Sequence, residues 1–171
     1  MNTRVESSTE TASTPFHKLE MKRNDGKILN FSSLKNKKVM LVNTASDCGY
    51  TAQYDDLQKL SEIYKDKLII LGFPSNDFGE QEKGDDGIIE QFCKINFGVT
   101  FPLMAKSTVR KIDSQNDVFK WLSDQSKNGW NNQAPTWNFC KYLVDENGNL
   151  THFFEAAIEP TDERMLNAIE S

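Results

Sequence analysis

Residues 38–51 read Lys-Val-Met-Leu-Val-Asn-Thr-Ala-Ser-Asp-Cys-Gly-Tyr-Thr, and the fold is decided by how that stretch is read. Lys38–Thr44 is a compact, β-rich apolar run. It suits a central strand covered on both faces. Tyr54, Leu57, Leu60 and Tyr64 then recur at helical spacing, so the pattern predicts an amphipathic helix over about 51–64. Residues 67–73, Lys-Leu-Ile-Ile-Leu-Gly-Phe, make a second buried strand. Strand, helix and strand in that order imply a parallel pair with a right-handed crossover.

The flanks extend this unit. Runs over 16–21 and 27–31 bracket Asn24-Asp25-Gly26, and Asp-Gly between short strand-like runs signals a hairpin. A helix is expected over 85–96, capped by Asp85 or Asp86, with Ile88, Ile89, Phe92 and Ile95 apolar. A third is expected over 114–127, carrying Val118, Phe119 and Leu122. Runs over 139–144 and 150–155 bracket Asp145-Glu146-Asn147-Gly148 as a second hairpin. A helix over 161–170, with Thr161 as cap, closes the chain. The sum is an α/β, thioredoxin-like fold: a central mixed sheet, flanking helices and an N-terminal β-hairpin.

The chain has 171 residues, which suits one domain. Twenty Lys and Arg against 25 Asp and Glu leave a net charge of −5, which argues against a nucleic-acid binder. No apolar run approaches the roughly 18–20 residues that cross a bilayer, so no transmembrane segment is expected. Half of residues 1–14 are Ser or Thr and none is aromatic. Such a segment cannot offset the entropy of ordering it, so a flexible tail over 1–14 and a domain over 15–171 are expected. The tail lacks the apolar stretch of a secretory signal, and cytoplasmic residence is the expectation. The triplets Asn30-Phe31-Ser32 and Asn149-Leu150-Thr151 match a glycosylation pattern that arises by chance at this length.

Three cysteines are too few for a disulfide scaffold, and odd in number. Cys48 falls in the turn from the first buried strand to the first long helix. Free N–H groups and the macrodipole at a helix start favour an anion. Such placement lowers a cysteine pKa from about 8.5 into a range of roughly 3.5–7.5, and the thiolate is the nucleophile. The plainer reading is a small residue at a turn. Thr51 stands where a Cys-x-x-Cys motif would have its second thiol. A cysteine hydrolase would need a histidine, and only His17, near the tail, and His152, in an alternating strand, exist. Scattered cysteines do not make a tetrahedral zinc site, so neither metal nor cofactor is expected. Asp77-Phe78-Gly79 matches a kinase metal motif without the accompanying phosphate loop, which marks it as chance.

Four blocks add a resemblance. They are Asn43 to Thr51; Gly72-Phe73-Pro74-Ser75-Asn76-Asp77-Phe78-Gly79-Glu80-Gln81-Glu82; Gln91 to Pro102; and Trp137-Asn138-Phe139-Cys140-Lys141-Tyr142-Leu143. In that order and approximate spacing they resemble the signature blocks of the glutathione peroxidase family, from about Phe16 to the C-terminus. The resemblance implies a peroxidatic Cys48, with Gln81, Trp137 and Asn138 completing a catalytic tetrad. Neutral amide and indole donors suit a thiolate and a departing oxygen without a permanent counter-charge. The sequence departs from the family where Lys83 replaces the proline after Gln-Glu, Ser75 a cysteine and Asp77 a glutamine.

The Gln91-Phe92-Cys93 block is similar to the thioredoxin-dependent cysteine branch, which implies that Cys93 is the resolving thiol. The plainer reading is a buried helix cysteine. The expected cycle takes a hydroperoxide substrate through a Cys48 sulfenic acid to a Cys48–Cys93 disulfide, reduced by thioredoxin, with glutathione as the other candidate. A thiol-linked peroxide sensor would use the same residues. The two cysteines lie on different elements and bridging needs α-carbons within about 7 Å, so if the reduced fold holds them farther apart the helix over 85–96 is expected to open locally. Cys140 reads as a core thiol. The short segment between Phe101 and Trp137 resembles the monomeric branch, so a monomer is expected.

Overall fold

The structure, a computed structural model, describes residues 1–4 and 12–171. Its strands are β1 (Asn2–Thr3), β2 (Glu20–Lys22), β3 (Ile28–Asn30), β4 (Lys38–Thr44), β5 (Leu68–Pro74), β6 (Lys141–Val144) and β7 (Leu150–Phe154). Its helices are α1 (Gln53–Ile63), α2 (Asp86–Phe97), α3 (Asp117–Leu122), α4 (Gln125–Asn128) and α5 (Glu163–Glu170).

All seven residues of β4 are buried, as its unbroken apolar pattern requires. It pairs in parallel with β5, Lys38 opposite Leu68 through Thr44 opposite Pro74. On its other edge it pairs antiparallel with β6. The sheet order is β1-β7-β6-β4-β5, a mixed sheet of the thioredoxin-like kind, with β2 and β3 as a separate hairpin. The free side of β5 is covered where Gly72 N donates to Pro102 O at 3.0 Å and Met104 N to Gly72 O at 2.8 Å. A Cβ at residue 72 would lie 2.7 Å from Leu103, so glycine is what lets that segment dock on the strand.

Side chains of β4 alternate into two cores. Val39 and Leu41 join Phe73, Phe119, Trp121, Cys140 and Tyr142 on one face. Met40 and Val42 join Tyr54, Leu57, Ile89, Cys93, Leu143 and Met165 on the other. Each such aliphatic side chain contributes about 1.5–3 kcal/mol by leaving water.

Three local expectations change, and one choice between two residues is decided. The helix expected over 114–127 is two short helices: Asn116 caps α3 through Phe119 N, and Asp124 caps α4 through Ser126 N. Each cap side chain competes for the backbone and starts a new turn. Asp162, not Thr161, caps α5. Asp85, not Asp86, caps α2. The first strand-like run, 16–21, opens as a 3-10 turn at Phe16–Lys18 before β2 begins.

The expected tail is described in part. Asn2 and Thr3 pair with Phe153 and His152, Thr14 O accepts from Trp121 Nε1 at 2.7 Å, and residues 5–11 lie outside the described set. Asn2–Thr3 and Thr14 are therefore tied to the body by contacts that composition could not reveal.

Candidate active site

Cys48 lies half-buried in the loop between β4 and α1. That loop is wound by its own hydrogen bonds. Cys48 N donates to Thr51 Oγ1 at 2.9 Å, and Thr51 Oγ1 donates to Ala45 O at 2.8 Å. Thr51 N donates to Cys48 O at 3.1 Å, so a turn forms before the helix proper. Tyr50 N points at the Cys48 sulfur at 3.3 Å, supplying one backbone donor to it.

Gln81 joins this loop to the next. Its carbonyl oxygen accepts from Ser46 N at 3.2 Å and Asp47 N at 3.0 Å. Gly79 and Glu80 precede it with φ of 66° and 53°, two consecutive left-handed residues that turn the chain back toward the Cys48 loop. At such angles a non-glycine residue is strained, so the bonds on Gln81 hold Glu80 in place. Asp77, which takes the place of the family's glutamine, has its own task. Its Oδ2 accepts from Val109 N at 2.6 Å and Arg110 N at 3.0 Å.

Asn138 and Trp137 arrive from the segment before β6. Asn138 is buried, and its Nδ2 donates to Gln81 Oε1 at 3.0 Å and Phe78 O at 3.3 Å. That bond fixes which end of the Gln81 amide is oxygen and keeps its NH2 group as the donor to spare. Trp137 is 37% exposed, with its ring centroid 5.8 Å from that of Phe78. A Cβ on Gly79 would lie 3.2 Å from the Trp137 ring and 3.3 Å from the Gln81 amide carbon, so the indole packs over this glycine beside Gln81. Asn43, at the end of β4, anchors the segment: its Nδ2 donates to Trp137 O, and its carbonyl accepts from Phe139 N at 2.6 Å. Gln81, Trp137 and Asn138 thus form one contact group, tied to the Cys48 loop through Gln81.

Cys93 lies elsewhere, on α2, at 1% exposure. It and Ile89 are the helix's two buried residues, while Ile88 and Ile95, two of the expected apolar positions, are 60% and 78% exposed. The helix touches the body along one narrow line, too narrow to bury all four apolar positions. Burial pushes the Cys93 thiol up to about 11, partly offset by the Tyr54 hydroxyl. Cys48 packs against the same core as Cys93, whereas Cys140 belongs to the core across the sheet. All three are free thiols.

One titratable residue near the site was not singled out. Glu82 reads as a solvated loop acid, yet it is 2% exposed, and burial raises its carboxyl from 4.5 to about 7. Only its position next to Gln81 could have drawn attention to it.

Comparison with known proteins follows the same residues. The family model for glutathione peroxidase matches residues 16–123. The chain is 44% identical over 163 residues to a glutathione peroxidase-like peroxiredoxin of Chlamydomonas reinhardtii, covering 92% of this chain and 99% of that one. It is 45% identical over 157 residues to another of that description from Schizosaccharomyces pombe, covering 91% and 97%. Among solved structures it is similar to Trgpx in apo form, with a TM-score of 0.70, 30% identity, and 94% and 98% of the two chains covered.

Proposed function

The chain belongs to the glutathione peroxidase family and is a peroxide-reducing oxidoreductase, and on that basis we propose a two-cysteine thiol peroxidase acting through Cys48 and Cys93. The observation that carries it is the hydrogen-bonded unit in which Gln81 is held by both the Cys48 loop and Asn138. The Cys48 thiolate attacks one oxygen of hydrogen peroxide or of an organic or lipid hydroperoxide. The O–O bond breaks, and the departing oxygen leaves as water or alcohol once protonated. Donors from Gln81 and Trp137 offset the charge that develops on that oxygen, and Asn138, whose Nδ2 is spent on Gln81 Oε1 and Phe78 O, holds the Gln81 amide in place. The exposed Trp137 leaves the site open, which suits large hydroperoxides and a protein reductant.

The Cys48 sulfenic acid then condenses with Cys93, releasing water. Thioredoxin is the proposed reductant of the disulfide. A monomer is the proposed working form, since the segment between Phe101 and Trp137 carries no long insertion.

Peptide mapping after one equivalent of peroxide should find a Cys48–Cys93 disulfide with Cys140 free. Cys93→Ser should still consume about one equivalent, then lose thioredoxin-supported NADPH oxidation. A Cys48–Cys140 bond, or undiminished turnover of Cys93→Ser, would refute the assignment. Oxidation without sustained turnover in the wild type would favour a peroxide-sensing relay.

In the proposed cycle α2 opens to bring Cys93 to Cys48. The helix has a well-formed N-cap at Asp85 and a left-handed Gly98 at its C-terminus, but only Ile89 and Cys93 are fully buried, with Phe92 and Phe97 packed half-buried against the same core. It should lose amide protection in the oxidised protein relative to the reduced one. Equal hydrogen exchange in both states would count against opening.

A further inference from the structure

A small cavity of about 150 Å³ lies beside the Cys48 loop. Gly49 and Tyr50 line it from the loop, Ala52, Gln53 and Asp56 from the start of α1, and Glu159 from the segment before α5. The wall therefore begins at the residue next to Cys48, and it includes Tyr50, whose N–H points at the Cys48 sulfur at 3.3 Å.

Gln53 is only 7% exposed, and its side chain is half satisfied. Its Nε2 donates to Ala156 O at 2.9 Å, which fixes that end of the amide as nitrogen. Its Oε1 has no hydrogen-bond partner among the described residues. A buried acceptor left unmatched is costly, and such an atom marks a place where a donor is missing. The rest of the lining asks for the same thing. Asp56 and Glu159 bring carboxylates, and Tyr50, 37% exposed, brings an aromatic ring. The N–H groups of the helix start, which would draw an anion, are already spent: Gln53 N donates to Tyr50 O at 2.9 Å, Tyr54 N to Thr51 O at 3.1 Å and Asp55 N to Ala52 O at 3.1 Å. Lys59 Nζ lies 3.2 Å from Asp55 and 3.4 Å from Asp56, so it is shared between them. The exposed Glu159 carboxylate has no hydrogen bond or ion pair among the described residues, although the buried Lys141 attracts it. Carboxylates, an amide oxygen and a ring face together fit a cationic head group. The cavity is smaller than the roughly 300–1,000 Å³ of small-molecule sites, so it takes one side-chain end.

We propose that this cavity seats a lysine or arginine side chain of the dithiol protein, thioredoxin, that reduces the Cys48–Cys93 disulfide. The inference rests on the two-cysteine cycle proposed above. A thiolate of the reductant attacks one sulfur, a mixed disulfide forms, and the displaced cysteine takes up a proton. The reductant's second thiol then breaks the mixed bond, which frees the other cysteine and leaves the reductant oxidised. A basic side chain held beside Gly49 and Tyr50 fixes the partner's approach to the Cys48 sulfur. The net charge of −5 favours a partner that presents positive charge there. Hydrogen peroxide is neutral and has no use for the cavity.

The test uses the full chain as wild type, Glu159→Gln, Asp56→Asn, the two combined, and Glu159→Lys. Glu20→Gln, on the separate hairpin, makes the same change in net charge away from the cavity. The disulfide is formed with one equivalent of peroxide. Its reduction by thioredoxin is followed in stopped flow at low and high salt, beside reduction by dithiothreitol. Each neutral substitution should slow thioredoxin about three- to tenfold at low salt, Glu159→Lys should slow it more, and the combined variant should lose most of the salt dependence. Reduction by dithiothreitol should be unchanged throughout, as should every rate of Glu20→Gln. Wild-type thioredoxin rates in the combined variant would overturn the proposal. So would a loss shared by dithiothreitol, which marks a disturbed loop, or an equal loss in Glu20→Gln, which marks long-range charge alone. A wild-type disulfide that yields to dithiothreitol but resists thioredoxin would overturn thioredoxin as the reductant, and the proposal with it.

Discussion

Cys48→Ser should reduce peroxide turnover to the uncatalysed background, a loss of about ten-thousandfold or more. A serine hydroxyl keeps its proton at neutral pH, and the three side chains grouped beside the loop supply no base. Gln81, Trp137 and Asn138 are neutral donors. Neither remaining cysteine can substitute. Cys93 is buried with its thiol pushed up to about 11. Cys140 sits in the core across the sheet. The fold should survive, because Cys48 is only half-buried and the loop is wound by Thr51, Ala45 and Gln81. Stopped-flow peroxide consumption, paired with thermal unfolding, checks both points. Turnover within tenfold of wild type would remove Cys48 as the nucleophile.

Stability should pass through a minimum near pH 7, because two buried groups titrate with opposite signs. Lys141 lies in β6, fully buried, with Nζ donating to Ala156 O at 3.1 Å and Ile158 O at 2.5 Å. Desolvation lowers it from 10.5 to about 7, against the opposing pull of Cys140 and Glu159. Between pH 7 and 10.5 the unfolded chain therefore binds a proton that the folded chain does not. Stability rises with pH across that window, by about 5 kcal/mol if fully expressed.

Glu82 acts below it. Its carboxyl is about 7 when folded against 4.5 otherwise, so the folded chain binds the extra proton between those values. Stability falls by about 3 kcal/mol as pH rises from 4.5 to 7. Urea denaturation at pH 5, 7 and 9 should give a shallow V. Lys141→Met should flatten its alkaline limb, and Glu82→Gln its acid limb. A wild-type profile that is flat from 7 to 10, and the same in Lys141→Met, would contradict this picture.

The elements that were legible beforehand are those with a strong local pattern. β4 and β5 are apolar on both faces, and no helix period fits them. The Asp25-Gly26 turn is marked by a residue that takes φ of 86° without strain. Helix ends were less legible, because Asn116 and Asp124 read as surface polar residues until their caps are seen. Of the candidate site, Cys48 was visible from its turn, whereas Gln81, Trp137, Asn138 and Cys93 were visible through a family resemblance. Nothing local distinguishes Gln81 from a solvated glutamine, or Trp137 from a core tryptophan.

The sequence by itself determined the parallel strand–helix–strand unit around β4 and the turn that carries Cys48. These follow from periodicity and turn chemistry within a few residues. Only the tertiary structure decided that Gln81 is shared between the Cys48 loop and Asn138, which lies 57 residues beyond Gln81 in the chain. It alone placed Cys93 in the buried line of α2 while leaving Ile88 and Ile95 in water, put Cys140 across the sheet, and buried Glu82 beside both cysteine-bearing elements. Burial and hydrogen-bond partnership depend on which distant segment covers a residue, and one residue's neighbours in the chain carry no record of that.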